Sequence, residues 1–245
     1  MNKSLIIIGG GASVKEGLEL GLKDKLKDKF TCGLNYAYKY FDNCTYHCFV
    51  DKDFYTKQSH ELAKLPLIIG KSGGYNPLPN TIDLPTATKY TRDLQGGTYS
   101  PELTGLFALS LGIFLIDVGT IYCLGFDFGE FHTKNIEDRP LTLNDKPILK
   151  YDSHKKLMTH FYQGEFNHRG IGKTSYYNAK NRPRDKFQCY TKETKVKIYN
   201  VSVNSRIPST ILEKISYKTF FEKLGGNGRC SHIEARKEIR SKLNA

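Results

Sequence analysis

The sequence predicts an α/β fold with a doubly wound, mostly parallel sheet, a polar, loop-rich lid segment and C-terminal helices. Short aliphatic runs alternate with segments of helical pattern, as they do in parallel sheets. The first run, 5–8, has four consecutive large aliphatics without polar alternation, which is typical of a strand buried on both faces. Ligands bind beyond the carboxyl ends of such strands, so the residues that follow each strand are candidates for the site.

Each element is predicted from its local pattern. The predicted strands are 5–8, 30–35, 45–51, 65–70, 120–127 and 195–201. The predicted helices are 13–22, 103–118, 152–162, 209–212, 217–224 and 231–243, the last of them basic and amphipathic. The segment 71–100 is rich in Gly, Pro, Asn and Thr, which indicates a loop with one edge strand.

The charge and hydropathy of the sequence limit the kinds of partner that the protein can bind. The formal net charge is +12, from 37 Lys and Arg against 25 Asp and Glu. A basic surface suits a polyanionic partner, although an AT-rich genome, which enriches Lys, Asn, Tyr and Ile, explains it equally well.

No segment approaches the roughly 18 apolar residues of a membrane span. Gly9 ends the first apolar run too early for a signal peptide, so we expect a cytoplasmic protein without a membrane span.

The six cysteines are scattered, and only Cys44 and Cys48 lie close together in the sequence. A zinc site would need two more clustered ligands, and His47 faces away from Cys48 on a strand. Buried free thiols are therefore favoured over a metal site.

The first strand runs into a glycine turn and a helix start. The residues of this turn predicted to bind a ligand are Gly9, Gly10, Gly11 and Ser13. Ser13 and Glu16 have the spacing of a capping box, and free amides at a helix start attract anions. This stretch of sequence therefore predicts one of two structures: a site for a nucleotide phosphate, or a tight strand-to-helix turn that binds no ligand. A side chain at Gly11 is expected to fill the phosphate space and leave the fold intact.

A nicotinamide or flavin enzyme is disfavoured, because Val14 stands where the third glycine of the dinucleotide fingerprint belongs.

Asp51-Lys52-Asp53 follows a strand, as does the D-x-D pattern that holds a divalent cation in nucleotide-sugar transferases. Acids also favour a helix N-terminus, which is the preferred interpretation for Asp53. We expect Asp51 to be a ligand of ribose or base.

The polar segment contains His168-Arg169-Gly170-Ile171-Gly172-Lys173. A histidine beside cations and glycines suits a substrate-facing loop, in which His168 acts as general base while Arg169 and Lys173 neutralise phosphate. An ordinary surface histidine is the alternative. Tyr162 is the next candidate for the catalytic role.

Several blocks resemble bacterial lipooligosaccharide sialyltransferases, 6-hydroxymethylpterin pyrophosphokinase-like proteins and flagellin-modification factors, a Rossmann-like superfamily. The first block is 6–16, and Asn35 and Asp51 resemble the family's residues at the ends of strands two and three. The most specific block joins Thr104-Gly105 to a strand that ends Leu124-Gly125-Phe126-Asp127-Phe128, which resembles the L-x-G-x-D-F strand ending of the family. The resemblance implies that these residues bind a nucleotide and that His168 is the base.

At one point the sequence differs from the sialyltransferase pattern, and this difference bears on which sugar the donor carries. The sialyltransferases have tyrosines directly after D-F, where this chain has Gly129-Glu130-Phe131. Tyr162, Tyr176 and Tyr177 are candidate substitutes. The resemblance therefore implies nucleotide binding rather than a sialic acid donor.

Together these observations predict a nucleotide-dependent transferase that moves a sugar from a nucleotide-sugar donor to a hydroxyl acceptor, either a glycan or a modified nucleic acid. The nucleotide would lie in 1–128, beneath the lid or acceptor segment 129–190, with 191–245 completing one globular domain. No cofactor is required. If a cation is needed, Mg²⁺ or Mn²⁺ would bind Asp51 and Asp127.

The alternatives are an ATP-dependent pyrophosphokinase-like transferase, whose chemistry would need Mg²⁺, and a non-catalytic nucleotide- or nucleic-acid-binding protein. Metal dependence separates the two enzymes, and turnover separates both from the binding protein. The chain could also form a homo-oligomer.

Overall fold

The structure is a computed structural model. It describes residues 3–71, 76–84, 103–127, 131–132, 157–158, 191, 194–205, 207–224 and 230–243. Within these ranges no helix is both long and apolar enough to cross a membrane.

The described part of the chain contains ten strands and seven helices. The strands are β1 (Ser4–Ile8), β2 (Thr31–Leu34), β3 (Tyr46–Phe49), β4 (Ile68–Lys71), β5 (Thr81–Leu84), β6 (Thr120–Leu124), β7 (Phe131–His132), β8 (Leu157–Met158), β9 (Lys197–Asn200) and β10 (Glu213–Lys214). The helices are α1 (Val14–Glu19), α2 (Leu22–Lys25), the 3₁₀ helix η1 (Asn35–Lys39), α3 (Lys52–Leu62), α4 (Thr104–Phe114), α5 (Tyr217–Lys223) and α6 (His232–Leu243).

Eight strands form one parallel sheet in the order β10-β9-β6-β1-β2-β3-β4-β5, and β7 pairs antiparallel with β8. β1 lies between β2 and β6, with Ile7 opposite both Cys32 and Cys123. All five residues of β1 are buried, as a strand covered on both faces requires. The predicted α/β fold with a parallel sheet is confirmed, and β5 is the predicted edge strand.

Side chains of β1 alternate between two hydrophobic layers. Leu5 and Ile7 pack in the layer that contains buried residues of α4 and α6. Ile6 and Ile8 pack in the layer of α1 and α5. This alternation follows from the two-residue period of a strand and places helices on both faces of the sheet.

Some predicted elements need correction. The helix predicted over 13–22 is divided by Gly21, whose φ of +80° is left-handed. Residues 209–212 form a single turn instead of a helix: the Pro208 carbonyl accepts from the amides of Ile211 and Leu212, and the chain then enters β10 at Glu213. Residues 157–158, predicted as part of helix 152–162, are extended in β8.

The remaining differences between prediction and structure concern the length of one helix and two further elements. The apolar helix predicted over 103–118 ends at Phe114. The short strand β10 was not predicted, and of the helix α3 only the start at Asp53 was predicted. The acid at position 51 signals the start of α3, because Asp51 accepts hydrogen bonds from the amides of Asp53 and Phe54.

Candidate functional site

The strand order reverses at one point on the carboxyl edge of the sheet. From β1 the chain continues through β2, β3, β4 and β5 on one side, and β6 then pairs with β1 on the other side. Ligands of parallel sheets bind in the crevice at such a reversal. The bordering segments are the glycine turn, 9–13, and the residues after β6, 125–127. We refer to this place as the switch-point crevice.

Glycines let the two bordering segments touch. The Gly9 amide donates to the Leu124 carbonyl at 2.8 Å, and the Gly11 amide donates to the Gly125 carbonyl at 3.0 Å. A β-carbon on Gly11 would overlap with the Gly125 oxygen and with the Asp127 carboxyl group. The packing of the turn itself therefore requires Gly11, which corrects the expectation that a side chain there leaves the fold intact.

The carboxyl group of Asp127 lies against the glycine turn and is 1% exposed. Its Oδ2 accepts from the Ser13 amide at 2.8 Å, and its Oδ1 accepts from the Ser13 hydroxyl at 2.6 Å. Burial raises the pKa of Asp127, and this effect exceeds the opposing effects of the Ser13 hydrogen bonds and of Ser202. The two hydrogen bonds from Ser13 favour the ionised carboxylate, but they do not outweigh the effect of burial on the pKa of Asp127.

Ser13 immediately precedes α1, as predicted, but it does not form the predicted capping box with Glu16. Its side chain makes no hydrogen bond to the helix and donates to Asp127 instead. Burial, followed by the charges of Glu19 and Asp127, raises the pKa of Glu16. Asp127 thus accepts from the Ser13 amide, which is the donor that the Glu16 carboxylate was expected to bind in the capping box.

Two amides of the glycine turn have no acceptor in the part of the chain that the structure describes. The amides of Gly9, Gly11 and Ser13 donate within the protein. The amides of Gly10 and Ala12 donate to none of the described residues. Any anion bound by this turn is therefore held at Gly10 and Ala12, a narrower site than the whole segment 9–13.

The start of α4 lies at the same edge of the sheet. Thr104 Oγ1 donates to Asn35 Oδ1 at 3.3 Å, which joins α4 to the residue after β2. Asn35 has a left-handed φ of 47°. Leu103 precedes the helix and provides no side-chain cap, so the first amides of α4 have no side-chain acceptor among the described residues. A β-carbon on Gly105 would lie 3.0 Å from the Phe126 ring, which brings α4 close to the end of β6.

Asp51 follows β3 and is exposed. Its Oδ1 accepts from the amides of Asp53 at 2.8 Å and Phe54 at 3.3 Å, so it caps α3. Three strand spacings separate β3 from β6, about 14 Å at the strand ends. With Asp127 bonded to Ser13, the structure does not bring Asp51 and Asp127 together as ligands of one cation.

The residues predicted to carry out the transfer lie outside the described residues. They are His168, Arg169, Lys173 and Tyr162. The same holds for nearly all of the predicted lid, 129–190.

Sequence reasoning missed the polar side chains that support the crevice. Asn200 Nδ2 and Ser205 Oγ donate to the Phe126 carbonyl at 3.1 and 2.7 Å. The Tyr217 ring packs against Gly17, and its buried hydroxyl has no hydrogen-bond partner among the described residues. Gly17 within a predicted helix was the available signal, because an isolated helical glycine often marks close packing.

The described cysteines are buried free thiols, as predicted: Cys32, Cys44, Cys48, Cys123 and Cys230. Within the described part of the chain, no three His, Cys, Asp or Glu side chains form a group that could hold a metal ion.

His47 is buried outside the crevice, over the Cα of Gly33 and edge-on to the ring of Tyr38. Neither ring nitrogen has a hydrogen-bond partner among the described residues. Burial lowers the pKa of His47 to about 3. The imidazole is therefore neutral in the folded protein at pH 7.

We expect His47 to make the folded state less stable as the pH falls. The unfolded chain takes up a proton near pH 6.5 and the folded chain does so only near 3, so stability is lost between these values. The slope is at most about 1.4 kcal/mol per pH unit. Urea unfolding of the protein and of His47→Leu between pH 7 and 4 should show this slope in their difference.

The matched control is His60→Leu, because His60 is exposed on α3. A difference between the protein and His47→Leu that does not change with pH would show that His47 is solvated or paired in solution.

Comparison with known proteins returned no matching family model, no similar curated protein and no similar solved structure. The chemistry of the switch-point crevice therefore rests on its own geometry.

Proposed function

We propose that the protein is a nucleotide-dependent transferase, and that it moves a sugar from a nucleotide-sugar donor to a hydroxyl acceptor. The observation that carries this proposal is the switch-point crevice, bordered by a glycine turn and faced by a helix start without a side-chain cap. Parallel sheets bind nucleotides at this position.

Backbone amides would bind the donor phosphates. Gly10 and Ala12 have amides that donate to none of the described residues. The first turn of α4, at Thr104 and Gly105, adds amides and the positive end of an 11-residue helix. These groups attract phosphate oxygens without a metal ion.

Polar side chains beside the phosphates would bind the nucleoside. The hydrogen bond from Thr104 fixes the amide of Asn35, whose Nδ2 donates to none of the described residues. The exposed carboxylate of Asp51, which follows β3, is the candidate acceptor for ribose hydroxyls.

The transfer step forms a bond between the acceptor oxygen and the anomeric carbon, and it breaks the bond from that carbon to the phosphate oxygen. We assign removal of the acceptor proton to His168, with Tyr162 as the next candidate. Arg169 and Lys173 would stabilise the negative charge on the departing phosphate. This assignment is a prediction from the sequence.

A thermal-shift screen of nucleotides and nucleotide sugars tests the proposal. A ligand at a hundred times its Kd should stabilise the folded state by about 2.7 kcal/mol, which raises the Tm by roughly 5–10 °C. Nucleosides without phosphate should give smaller shifts. Repeating the screen with Mg²⁺ and with a chelator separates a metal-free transferase from a pyrophosphokinase.

Thr104→Val is the variant control, because it removes the bond to Asn35 and changes little volume. It should fold and reduce the shift. If no nucleotide or nucleotide sugar stabilises the parent protein, the proposed function is wrong.

A further inference from the structure

We propose that the ends of β9 and β10 form the subsite for the sugar of the donor, and that Lys214 donates a hydrogen bond to a hydroxyl group of that sugar. This inference rests on the proposed function, because it concerns the same donor. It goes further by placing the sugar in the fold and by naming a residue that distinguishes a nucleotide sugar from the free nucleotide that transfer leaves behind.

The ends of β9 and β10 lie on the carboxyl edge of the sheet, on the side of the crevice away from the candidate nucleoside residues. The sheet order places β6, β9 and β10 on one side of β1, and β2 and β3 on the other. Asn35 and Asp51 follow β2 and β3. Neighbouring strands are about 4.8 Å apart, so the end of β9 is one such spacing from the end of β6. A donor with its phosphates between β1 and β6 and its nucleoside toward β3 therefore has its sugar toward β9.

Lys214 is the last residue of β10 and lies opposite Asn200, the last residue of β9. Its Nζ donates to the Ser205 carbonyl at 2.6 Å, and Ser205 Oγ donates to the Phe126 carbonyl at 2.7 Å. The ammonium group thus lies against the segment that contacts the end of β6. The residue is partly exposed, and burial lowers the pKa of Lys214, so the ammonium group is partly removed from water. A ligand in the crevice can still reach it.

Two buried polar atoms at the end of β9 have no hydrogen-bond partner among the described residues. They are Asn200 Oδ1 and Ser202 Oγ, in residues that are 0% and 4% exposed. The Asn200 amide is held in place, because its Nδ2 donates to the Phe126 carbonyl at 3.1 Å. Ser202 is close enough to Asp127 to lower the pKa of that carboxyl group, but its hydroxyl forms no hydrogen bond of good geometry there. Buried polar atoms are seldom left without a partner, which points to a further polar group at this strand end.

The chemistry of these groups fits hydroxyls better than phosphates. An amide oxygen only accepts hydrogen bonds and an ammonium group only donates them, whereas a hydroxyl does both. A sugar hydroxyl can accept directly from Lys214 and donate through a bridging water to the buried Asn200 Oδ1. A phosphodiester has no hydrogen to donate, so it cannot satisfy Asn200. The sugar is therefore the part of the donor that matches this strand end.

Calorimetry on the full-length protein tests the inference. The ligands are the nucleotide sugar that stabilises the protein most in the thermal screen and its own free nucleotide, with UDP-glucose and UDP as the first pair. The measured quantity is the Kd of the free nucleotide divided by the Kd of the nucleotide sugar. Lys214→Met keeps the length of the side chain and removes its donors. It should lower this ratio at least about fivefold, because a hydrogen bond from a charged donor is lost only with the sugar.

Two control variants separate sugar binding from support of the strand ends. Lys218→Met makes the same change at an exposed lysine of α5 and should leave the ratio within about twofold of the parent. Ser205→Ala removes a hydrogen bond to the Phe126 carbonyl and leaves Lys214 in place. It should change both affinities alike and keep the ratio. If Lys214→Met does not fold, Lys214→Gln, which keeps an amide donor for the Ser205 carbonyl and lacks the charge, is measured in its place.

The two proposals fail separately. If the nucleotide sugar binds and Lys214→Met changes both affinities equally, the donor site stands and Lys214 only supports the strand ends, so the inference is wrong. If no nucleotide or nucleotide sugar binds, the proposed function is wrong, and ligand-detected NMR with glucose 1-phosphate and inorganic phosphate tests the subsite alone. A preference of the parent for glucose 1-phosphate that Lys214→Met loses would support the subsite. Equal binding of the two, or binding of neither, would overturn it.

Discussion

Replacement of Gly11 by alanine is expected to destabilise the fold and to abolish ligand binding in the switch-point crevice. The new β-carbon would overlap with the Gly125 carbonyl oxygen, which is backbone, and with the Asp127 carboxyl group. Overpacking of this kind costs about 1–3 kcal/mol, which lowers the Tm by roughly 2–12 °C in a chain of this length. Thermal unfolding and calorimetry with the best nucleotide measure the two effects.

Gly21→Ala is the matched control for the change from glycine to alanine. Gly21 has a left-handed φ of +80°, and a β-carbon there would meet nothing within 4 Å. It should lower stability by about 1–2 kcal/mol through backbone strain and leave ligand affinity unchanged. Full stability of Gly11→Ala would mean that the turn and the end of β6 do not touch in solution. If Gly11→Ala is fully stable but no longer binds the ligand, the absence of a side chain at Gly11 serves only to leave room for the phosphate, as the sequence analysis expected.

The largest effect on turnover is expected for His168→Ala. If His168 removes the acceptor proton, kcat should fall by about 10² to 10⁴ while donor affinity changes little. The rate of the parent enzyme should decrease on the acid side with one apparent pKa, because the base must be neutral. Steady-state kinetics against pH, with donor binding measured separately, test both statements.

His154→Ala, in the same polar segment, is the control and should keep nearly full activity. If His168→Ala keeps near-full turnover with the true acceptor, His168 has no place in the mechanism. If donor binding is lost along with turnover, His168 is a binding residue, and Tyr162 becomes the candidate base.

Much of the sheet could be predicted from local sequence. The aliphatic run of β1 has no polar position, so the strand must be covered on both faces, and it is buried throughout. The start of α1 after Ser13 and the edge strand within 71–100 follow from short-range patterns. Such features need only the neighbouring residues, which is why they are readable without a structure.

Local reasoning failed where contacts distant in sequence decide the conformation. Residues 157–158 extend because they pair with 131–132, and β10 forms only because β9 lies beside it. Gly21 divides a helix that the apolar spacing alone would continue. In each case a neighbour or a backbone angle overrides the propensity of the segment.

The candidate site, like the fold, could be predicted from the sequence only in part. By itself, the sequence predicted that a parallel sheet would bring 9–13, Asn35, Asp51 and 125–127 to one edge, because polar and glycine residues follow its strands. Only the tertiary structure decided what these residues do to one another. Asp127 binds Ser13 across 114 positions of sequence, which leaves the amides of Gly10 and Ala12 without an acceptor among the described residues. No local pattern encodes that bond, because it depends on β6 pairing with β1.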